Sequence, residues 1–194
     1  MIMHIFILIV GMSGISSAMI SSRSSIKTND RPFIEYRIAT RDDIAYARKS
    51  LLENLMNPIS LSEKHLLCAY DKEKDELLGF CQIRPIQSSN DSKSCSDFEL
   101  ASLFVKRECR SKGIGSGLVR EILQKFDASH KNQAACVYLL TLRPTIKFYE
   151  PFGFKVLEGK AITSIPQTLQ LELAAGTIIS SILGNQIVCM CCER

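Results

Sequence analysis

The sequence contains no tryptophan and has few aromatic side chains of any kind, which make up 7% of its 194 residues. Proteins that bind single-stranded nucleic acid stack bases on aromatic side chains, so this composition disfavours that class and we predict no nucleic-acid partner. The 10 glycines and 6 prolines are too few for a fibrous or low-complexity chain. A formal net charge of +4 is too small for a histone-like basic arm.

Histidine is also scarce, because His4, His65 and His130 are far apart in the sequence and no others occur. A structural zinc site needs a full set of nitrogen and sulfur ligands at close spacing. Cys189 and Cys192 form one C-x-x-C pair, without a second pair or two neighbouring histidines. The sequence therefore predicts no metal site.

Cysteine, by contrast, occurs eight times. In a small secreted protein such a number would suggest a disulfide framework. Here the cysteines are scattered through apolar segments, as Cys81 is in ELLGFCQIR and Cys136 is in AACVYLLTL. Buried free cysteine behaves as a small hydrophobic side chain, so we expect core packing in a reducing compartment.

The first part of the chain differs in composition from the rest. Residues 1–10 are almost entirely apolar, the following stretch is rich in serine, and no acidic residue occurs before Asp30. This composition is typical of an organellar transit peptide, and the short apolar run also suits a secretory signal. We predict a targeting or disordered segment over 1–31, import into a plastid or mitochondrion, and no stable membrane insertion after processing. A membrane anchor and a cytoplasmic location are the alternatives.

The remaining residues, 32–194, have the length and apolar content of one domain with its own core. Antiparallel strand patterns come first and a strand–helix–strand unit follows, which predicts an α+β domain with a mixed sheet. The predicted strands are 33–40, 66–70, 77–86, 97–105, 135–142, 155–159, 168–173 and 185–191, and the predicted helices are 42–55 (with Asp42 or Asp43 as its cap), 61–65, 114–126, 145–154 and 174–184.

A basic, glycine-rich loop, KRECRSKGIGSG at 106–117, follows a predicted strand and opens a helix. Its glycines let backbone N–H groups approach a ligand closely, and the first turn of a helix leaves N–H donors unpaired. Together with the helix dipole, these features favour a bound diphosphate. The P-loop motif is absent because no Lys-Ser or Lys-Thr follows the second glycine. The dinucleotide fingerprint belongs to an early βαβ unit, whereas this loop lies at mid-chain after a predicted antiparallel hairpin. A mobile turn with a solvated basic face is the alternative interpretation.

The run FELASLFVKRECRSKGIGSGLVREIL, followed downstream by KFYEPFGF, resembles the two sequence signatures of the GNAT superfamily of acetyl-CoA-dependent N-acetyltransferases. The resemblance extends over roughly 35–192 and implies a GNAT-like fold, in which a mostly antiparallel central sheet is flanked by helices. It implies acetyl-CoA as co-substrate and no metal. It also implies a primary amine as acceptor, which is a protein lysine, a protein N-terminus or a small amine.

The resemblance further implies roles for individual residues. Tyr149 would protonate the leaving thiolate, and Glu99 would act as general base, in some members through water. Leu142 departs from the family pattern, which often has a cofactor-contacting asparagine at that position. The strand end would hold the acetyl and pantetheine parts of acetyl-CoA, and the loop after it the pyrophosphate. The implied cofactor-binding residues are Leu103, Phe104, Val105, Arg110, Ser111, Lys112, Gly113, Ile114, Gly115 and Ser116.

These residue types suit acetyl transfer, because an amine must be neutral to attack a thioester and a carboxylate can take its proton. A strand-end N–H stabilises the developing oxyanion, and a tyrosine hydroxyl can protonate the thiolate. The alternatives are a solvated Glu99 on an alternating strand and a core Tyr149 with a wet hydroxyl. For the protein as a whole there are two alternatives. One is a non-catalytic GNAT-like module that binds acyl-CoA, as a sensor or a partner-binding domain. The other is a protein that binds nucleotide phosphates.

Overall fold

The computed structural model describes residues 33–54, 56–86, 96–131, 133–182 and 184–194. The predicted targeting segment over 1–31 lies outside them and stays a prediction. No helix of the described part is long and apolar enough to cross a membrane. The elements are β1 (Ile34–Ile38), α1 (Arg41–Glu53), β2 (Leu66–Asp71), β3 (Glu76–Pro85), β4 (Ser96–Val105), α2 (Ile114–Ser129), β5 (Ala135–Leu142), α3 (Ile146–Tyr149), β6 (Lys155–Val156), α4 (Lys160–Thr163), α5 (Gln167–Ile182) and β7 (Ile187–Glu193).

The described strands form one seven-stranded sheet in the order β1-β2-β3-β4-β5-β7-β6. Neighbouring strands are antiparallel except β4 and β5, which are parallel and are connected through α2. A tight turn suffices to join an antiparallel pair, as between β2 and β3, whereas a parallel pair needs a longer crossover. The predicted α+β domain, with a mixed and mostly antiparallel sheet flanked by helices, is confirmed.

Helices cover both faces of the sheet because successive side chains of a strand point to opposite faces. On β2, Leu67 and Ala69 belong to the hydrophobic cluster beneath α2, whereas Cys68 and Tyr70 belong to the cluster beneath α1. On β5, Tyr138 belongs to a third cluster, beneath α5 and on the face opposite α2. The sheet is therefore the middle layer, with α2 on one face and α1 and α5 on the other.

The start of the first helix differs from the prediction. Thr40, rather than Asp42 or Asp43, is the N-cap residue. The Asp43 N–H donates to the Thr40 hydroxyl, and the Asp43 carboxylate accepts from the Thr40 N–H at 2.7 Å. This reciprocal capping box satisfies backbone donors that the first helical turn leaves unpaired.

Two predicted elements are wrong, and a third is shorter than predicted. Residues 61–65 do not form a helix, because the N–H groups of His65 and Leu66 bond to the Ser62 carbonyl in a single turn before β2 begins. The strand predicted over 155–159 covers only Lys155–Val156.

The segment 168–173, predicted as a strand, lies inside α5. Its leucines alternate, but two of them, Leu169 and Leu173, are also four residues apart and pack together against the sheet. Leu171 lies between them in sequence and is 49% exposed. A strand would have put all three on one face, so the helical period explains the burial and the alternation does not.

A bulge in β4 lies next to the parallel pair. Between Phe80 and Gln82 the partner residue on β4 changes from Phe104 to Ala101, so β4 holds one extra residue there. Ser102 occupies the bulge with φ of 57°, in the left-handed region that non-glycine residues rarely adopt. Bulges bend a strand and re-aim its side chains, and they are frequent beside functional sites.

Gly79 faces the backbone of β4 at the last pair of the β3–β4 ladder. A β-carbon at this position would lie 2.5 Å from the Phe104 carbonyl oxygen and 3.2 Å from the Val105 Cα. We expect Gly79→Ala to lower the free energy of unfolding by about 2 kcal/mol, because the two strands would have to separate.

Urea unfolding followed by circular dichroism measures this loss. Gly115→Ala is the matched control, since its β-carbon would meet Phe148 and Val105 only at 3.6 Å, an ordinary contact distance. An equal loss in both variants would contradict the explanation by backbone contact.

Candidate functional site

The carboxyl ends of β4 and β5 separate to form the site. Along the described length of both strands, pairing runs only from Ser96 to Glu99 on β4 and from Ala135 to Tyr138 on β5. Two cavities lie beyond the last pair, and residues of both strands line the smaller one. Backbone groups of separated strand ends do not bond to each other and are open to a ligand.

The large cleft has a volume of about 570 Å³ and lies where the end of β4 meets the start of α2 and α3. Sites for small molecules and cofactors have volumes of this order. Every predicted cofactor-binding residue lines it except Lys112, which is exposed and lies outside the lining. The residues that line the large cleft are Asn54, Met56, Leu103, Phe104, Val105, Cys109, Arg110, Ser111, Gly113, Ile114, Gly115, Ser116, Pro144, Thr145, Phe148 and Tyr149.

The N-terminus of α2 forms one wall of this cleft. Gly113 precedes the helix with φ of 83°, in the left-handed region that favours glycine, and no side chain caps the first turn. The 16-residue helix therefore presents unpaired N–H donors and the positive end of its dipole to the cleft. The Arg110 Nε donates to the Val105 carbonyl at 3.0 Å, which places a cation beside these donors. The arrangement suits a phosphate group.

Tyr149 is buried at the end of α3 and lines both cavities. Its ring packs edge-on against Phe148 and Phe154, with centroids at 4.8 and 6.1 Å. Burial raises the pKa of the Tyr149 hydroxyl above its ordinary value, and a hydrogen bond with Thr141 opposes that shift. The hydroxyl is therefore protonated at neutral pH, which is the state that a proton donor needs.

The small pocket, of about 110 Å³, lies between β4, β5, β7 and α5 and shares Met56, Leu103 and Tyr149 with the large cleft. It is the more polar end of the site, because it contains an arginine and two glutamates. The residues that line the small pocket are Met56, Asn57, Arg84, Glu99, Leu100, Ala101, Ser102, Leu103, Leu140, Thr141, Leu142, Tyr149, Glu172 and Ile187.

Glu99, the predicted general base, lies in the small pocket and is buried rather than solvated. It faces Arg84 across the β3–β4 ladder. The Arg84 Nε and Nη2 donate to the same Glu99 carboxylate oxygen at 2.9 and 2.7 Å. Its carboxylate is therefore held in a buried ion pair.

A second carboxylate in the small pocket, that of Glu172, was not among the predicted site residues. It extends from α5, and its Oε1 lies 3.9 Å from the Arg84 Nη2. The pKa of the Glu172 carboxyl is raised to about 7: burial is the largest cause, the negative charge of Glu99 acts in the same direction, and Arg84 opposes both. The sequence did not point to Glu172 because 168–173 was predicted as a strand, whereas it belongs to α5.

Other lining residues carry weaker signals in the sequence. Phe148 precedes Tyr149 in the KFYEPFGF motif, and that position could have been taken from the motif itself. Arg84 could have been found only by pairing the strands, because it is opposite Glu99 in register and distant in sequence. Asn54 and Met56 follow α1, and only the tertiary fold brings them to the cleft.

The described cysteines are not in disulfide bonds, and Cys95 lies outside the described residues. Burial raises the pKa of the Cys68 thiol to about 12 and that of Cys81 well above its ordinary value. A thiol with a raised pKa is a poor nucleophile at neutral pH. Within the described part of the chain, no group of three or more His, Cys, Asp or Glu residues could hold a metal ion.

Comparisons with known proteins agree with this geometry. Residues 62–156 match the acetyltransferase (GNAT) domain family. An uncharacterized N-acetyltransferase of Schizosaccharomyces pombe is 32% identical over 75 residues, which are 39% of this chain and 46% of that relative. The chain thus matches about half the length of this curated relative.

Solved structures share the fold. Rv2747 from Mycobacterium tuberculosis, crystallised in complex with CoA, matches with a TM-score of 0.57 and 18% identity over 81% of this chain and 98% of its own. N-acetylglutamate synthase from Neisseria gonorrhoeae, complexed with coenzyme A and N-acetyl-glutamate, matches with a TM-score of 0.56 and 18% identity over 83% of this chain and 35% of its own. Residues 62–156 therefore belong to the acetyltransferase (GNAT) domain family, and the described fold matches the solved structures above.

Proposed function

We propose that this protein is an N-acetyltransferase that transfers the acetyl group of acetyl-CoA to a primary amine, which is a protein lysine, a protein N-terminus or a small amine. The observation that carries the proposal is the position of Tyr149, whose buried ring lines both the large cleft and the small pocket. A group at that junction can reach the leaving thiolate from one side while the amine arrives from the other.

The large cleft suits acetyl-CoA as a substrate. Its diphosphate matches the unpaired amides at the start of α2 and the Arg110 cation. The thioester end would lie along Leu103, Phe104 and Val105 at the end of β4, where a backbone N–H can stabilise the developing oxyanion. Leu142 lines the small pocket and supplies no amide in place of the asparagine that the family often has there.

The small pocket suits the acceptor. The amine must lose a proton before its nitrogen attacks the thioester carbon, and a carboxylate in this pocket can accept that proton. When the carbon–sulfur bond breaks, the Tyr149 hydroxyl protonates the sulfur, a role that its position in the lining of both cavities supports. The nitrogen loses its second proton as the amide forms, and a proton returns to the Tyr149 oxygen, so both side chains end in their starting states. The products are an amide and the free thiol of CoA.

The test is incubation of the purified protein with ¹³C-acetyl-CoA and three acceptor sets: peptides with an internal lysine, peptides with a free N-terminus, and small amines. Mass spectrometry detects the acetylated amine, and a thiol reagent detects free CoA. We expect product in at least one set, with thiol released in equal amount. CoA binding without product in any set would identify the non-catalytic module instead.

Reversal of the charge of Arg110 tests the diphosphate site. We expect Arg110→Glu to weaken CoA binding about tenfold or more, because a carboxylate would repel the diphosphate that the α2 amides bind. Isothermal titration calorimetry with CoA measures the change.

Lys125→Glu on α2 is the matched control, since this exposed lysine lies outside the residues that line the large cleft. Equal weakening by both reversals would mean that the effect comes from the overall charge and not from the site.

A further inference from the structure

The two carboxylates of the small pocket are held differently. The Glu99 carboxylate accepts two hydrogen bonds from Arg84, whose third nitrogen, Nη1, donates to the Ile59 carbonyl at 3.0 Å. All three guanidinium nitrogens are therefore engaged, and the Arg84–Glu99 pair is fixed. At 3.9 Å from Arg84, the Glu172 carboxylate is too far for a hydrogen bond to it.

The exposure of the two side chains differs in the same sense. Solvent reaches 31% of the Glu172 side chain and 9% of the Glu99 side chain. A buried carboxylate that accepts two hydrogen bonds from a guanidinium is held in place, because moving it would leave the guanidinium without its partner. A half-buried carboxylate outside hydrogen-bond distance of its nearest cation can gain and lose a proton at low cost.

We propose that Glu172, and not Glu99, is the residue that takes the proton from the acceptor amine, while the Arg84–Glu99 pair holds the pocket in shape. The assignment rests on the proposed N-acetyltransferase function. In the step itself, one N–H bond of the ammonium group breaks and the proton passes to a Glu172 oxygen, which leaves a neutral amine with a free electron pair. That pair attacks the thioester carbon, and Glu172 later releases the proton to solvent.

The surroundings of Glu172 set the pH at which it can act. Arg84 from β3 and Glu99 from β4 are the charged groups that line the small pocket with it, and Tyr149 is the other titratable one among the described lining residues. With its pKa near 7, the Glu172 carboxyl is a base above that pH and is protonated below it. A general base works best when its pKa lies near the working pH.

Glu172→Gln is the test, with Glu99→Gln as the matched comparison. With an amine that is protonated at neutral pH, we expect wild-type kcat to fall as the pH is lowered through about 7. In Glu172→Gln, kcat at pH 8 should be at most about one tenth of the wild-type value, and the fall of kcat at acidic pH (the acidic limb) should be absent. Glu99→Gln should keep the limb but move it to lower pH, because the negative charge of Glu99 raises the pKa of Glu172. The loss in Glu172→Gln should largely disappear with an aromatic amine, which is already neutral at pH 7.

A second measurement does not need turnover. Because the folded-state pKa of Glu172 is raised, its ionisation destabilises the fold as the pH rises from 4.5 towards 7. Glu172→Gln removes that cost, so its melting temperature relative to wild type should be higher at pH 8 than at pH 5.

The outcomes separate the assignment from the function on which it rests. An acidic limb that persists in Glu172→Gln, or that is lost only in Glu99→Gln, overturns the assignment and leaves the N-acetyltransferase function in place. An unchanged difference in melting temperature between pH 5 and pH 8 also counts against it. CoA binding without acetylation of any amine by wild type overturns both.

Discussion

Replacement of Tyr149 by phenylalanine is expected to lower kcat by about 10²-fold or more while CoA binding stays unchanged. The substitution removes only the hydroxyl group, and the ring keeps its contacts with Phe148 and Phe154. Without the hydroxyl, the thiolate of CoA would leave unprotonated. In the wild type, burial raises the pKa of Tyr149 and the hydroxyl is protonated at neutral pH.

Tyr138→Phe is the matched control for this substitution. Tyr138 is also buried and also has a raised pKa through burial, but it lies beneath α5 and outside the residues that line the two cavities. Steady-state kinetics and calorimetry with CoA on both variants measure the effect. Full kcat in Tyr149→Phe would exclude the hydroxyl as the proton donor, and an equal loss in Tyr138→Phe would point to a general structural effect.

Replacement of Arg84 by methionine is expected to lower the free energy of unfolding by about 3–5 kcal/mol. The substitution keeps much of the apolar stem but leaves the Glu99 carboxylate, whose side chain is 9% exposed, without its ion-pair partner. It also removes the donor to the Ile59 carbonyl, so the loop after α1 loses its tie to β3.

A double-mutant cycle with Glu99→Gln measures this loss by urea unfolding. The double variant should recover a large part of the stability, because a neutral amide is less costly to bury than an unpaired carboxylate. Strict additivity of the two single substitutions would show that the Arg84–Glu99 contact does not stabilise the fold.

The wall of the large cleft that we propose binds the diphosphate is local in the sequence. Strand end, loop and helix start follow one another directly, so the residues from Leu103 to Ser116 stay together wherever the fold places them. Within this stretch Lys112 is the predicted cofactor-binding residue that does not line the large cleft, because neighbouring positions of a turn point in different directions. The KFYEPFGF motif around Tyr149 is also local, so it pointed to this residue without knowledge of the tertiary structure.

The acceptor end could not be predicted in this way, because its residues come from distant parts of the chain. Arg84 and Glu99 meet through the register of β3 and β4, which a bulge shifts between Phe80 and Gln82. Glu172 reaches the pocket only because its segment is helical, although the alternating leucines around it suggest a strand. Local pattern could not decide between the two periods, since Leu169 and Leu173 satisfy both.

The sequence by itself determined the class of fold, the order of the main elements and the glycine-rich loop that opens α2. Hydrophobic period, turn residues and helix starts are local properties of a sequence. The tertiary structure decided which carboxylate is hydrogen-bonded to Arg84 and which is not. That difference depends on burial and on the distance to one guanidinium, and Arg84 lies 2.7 Å from Glu99 but 3.9 Å from Glu172. Only the packing of α5 against the sheet sets those two distances.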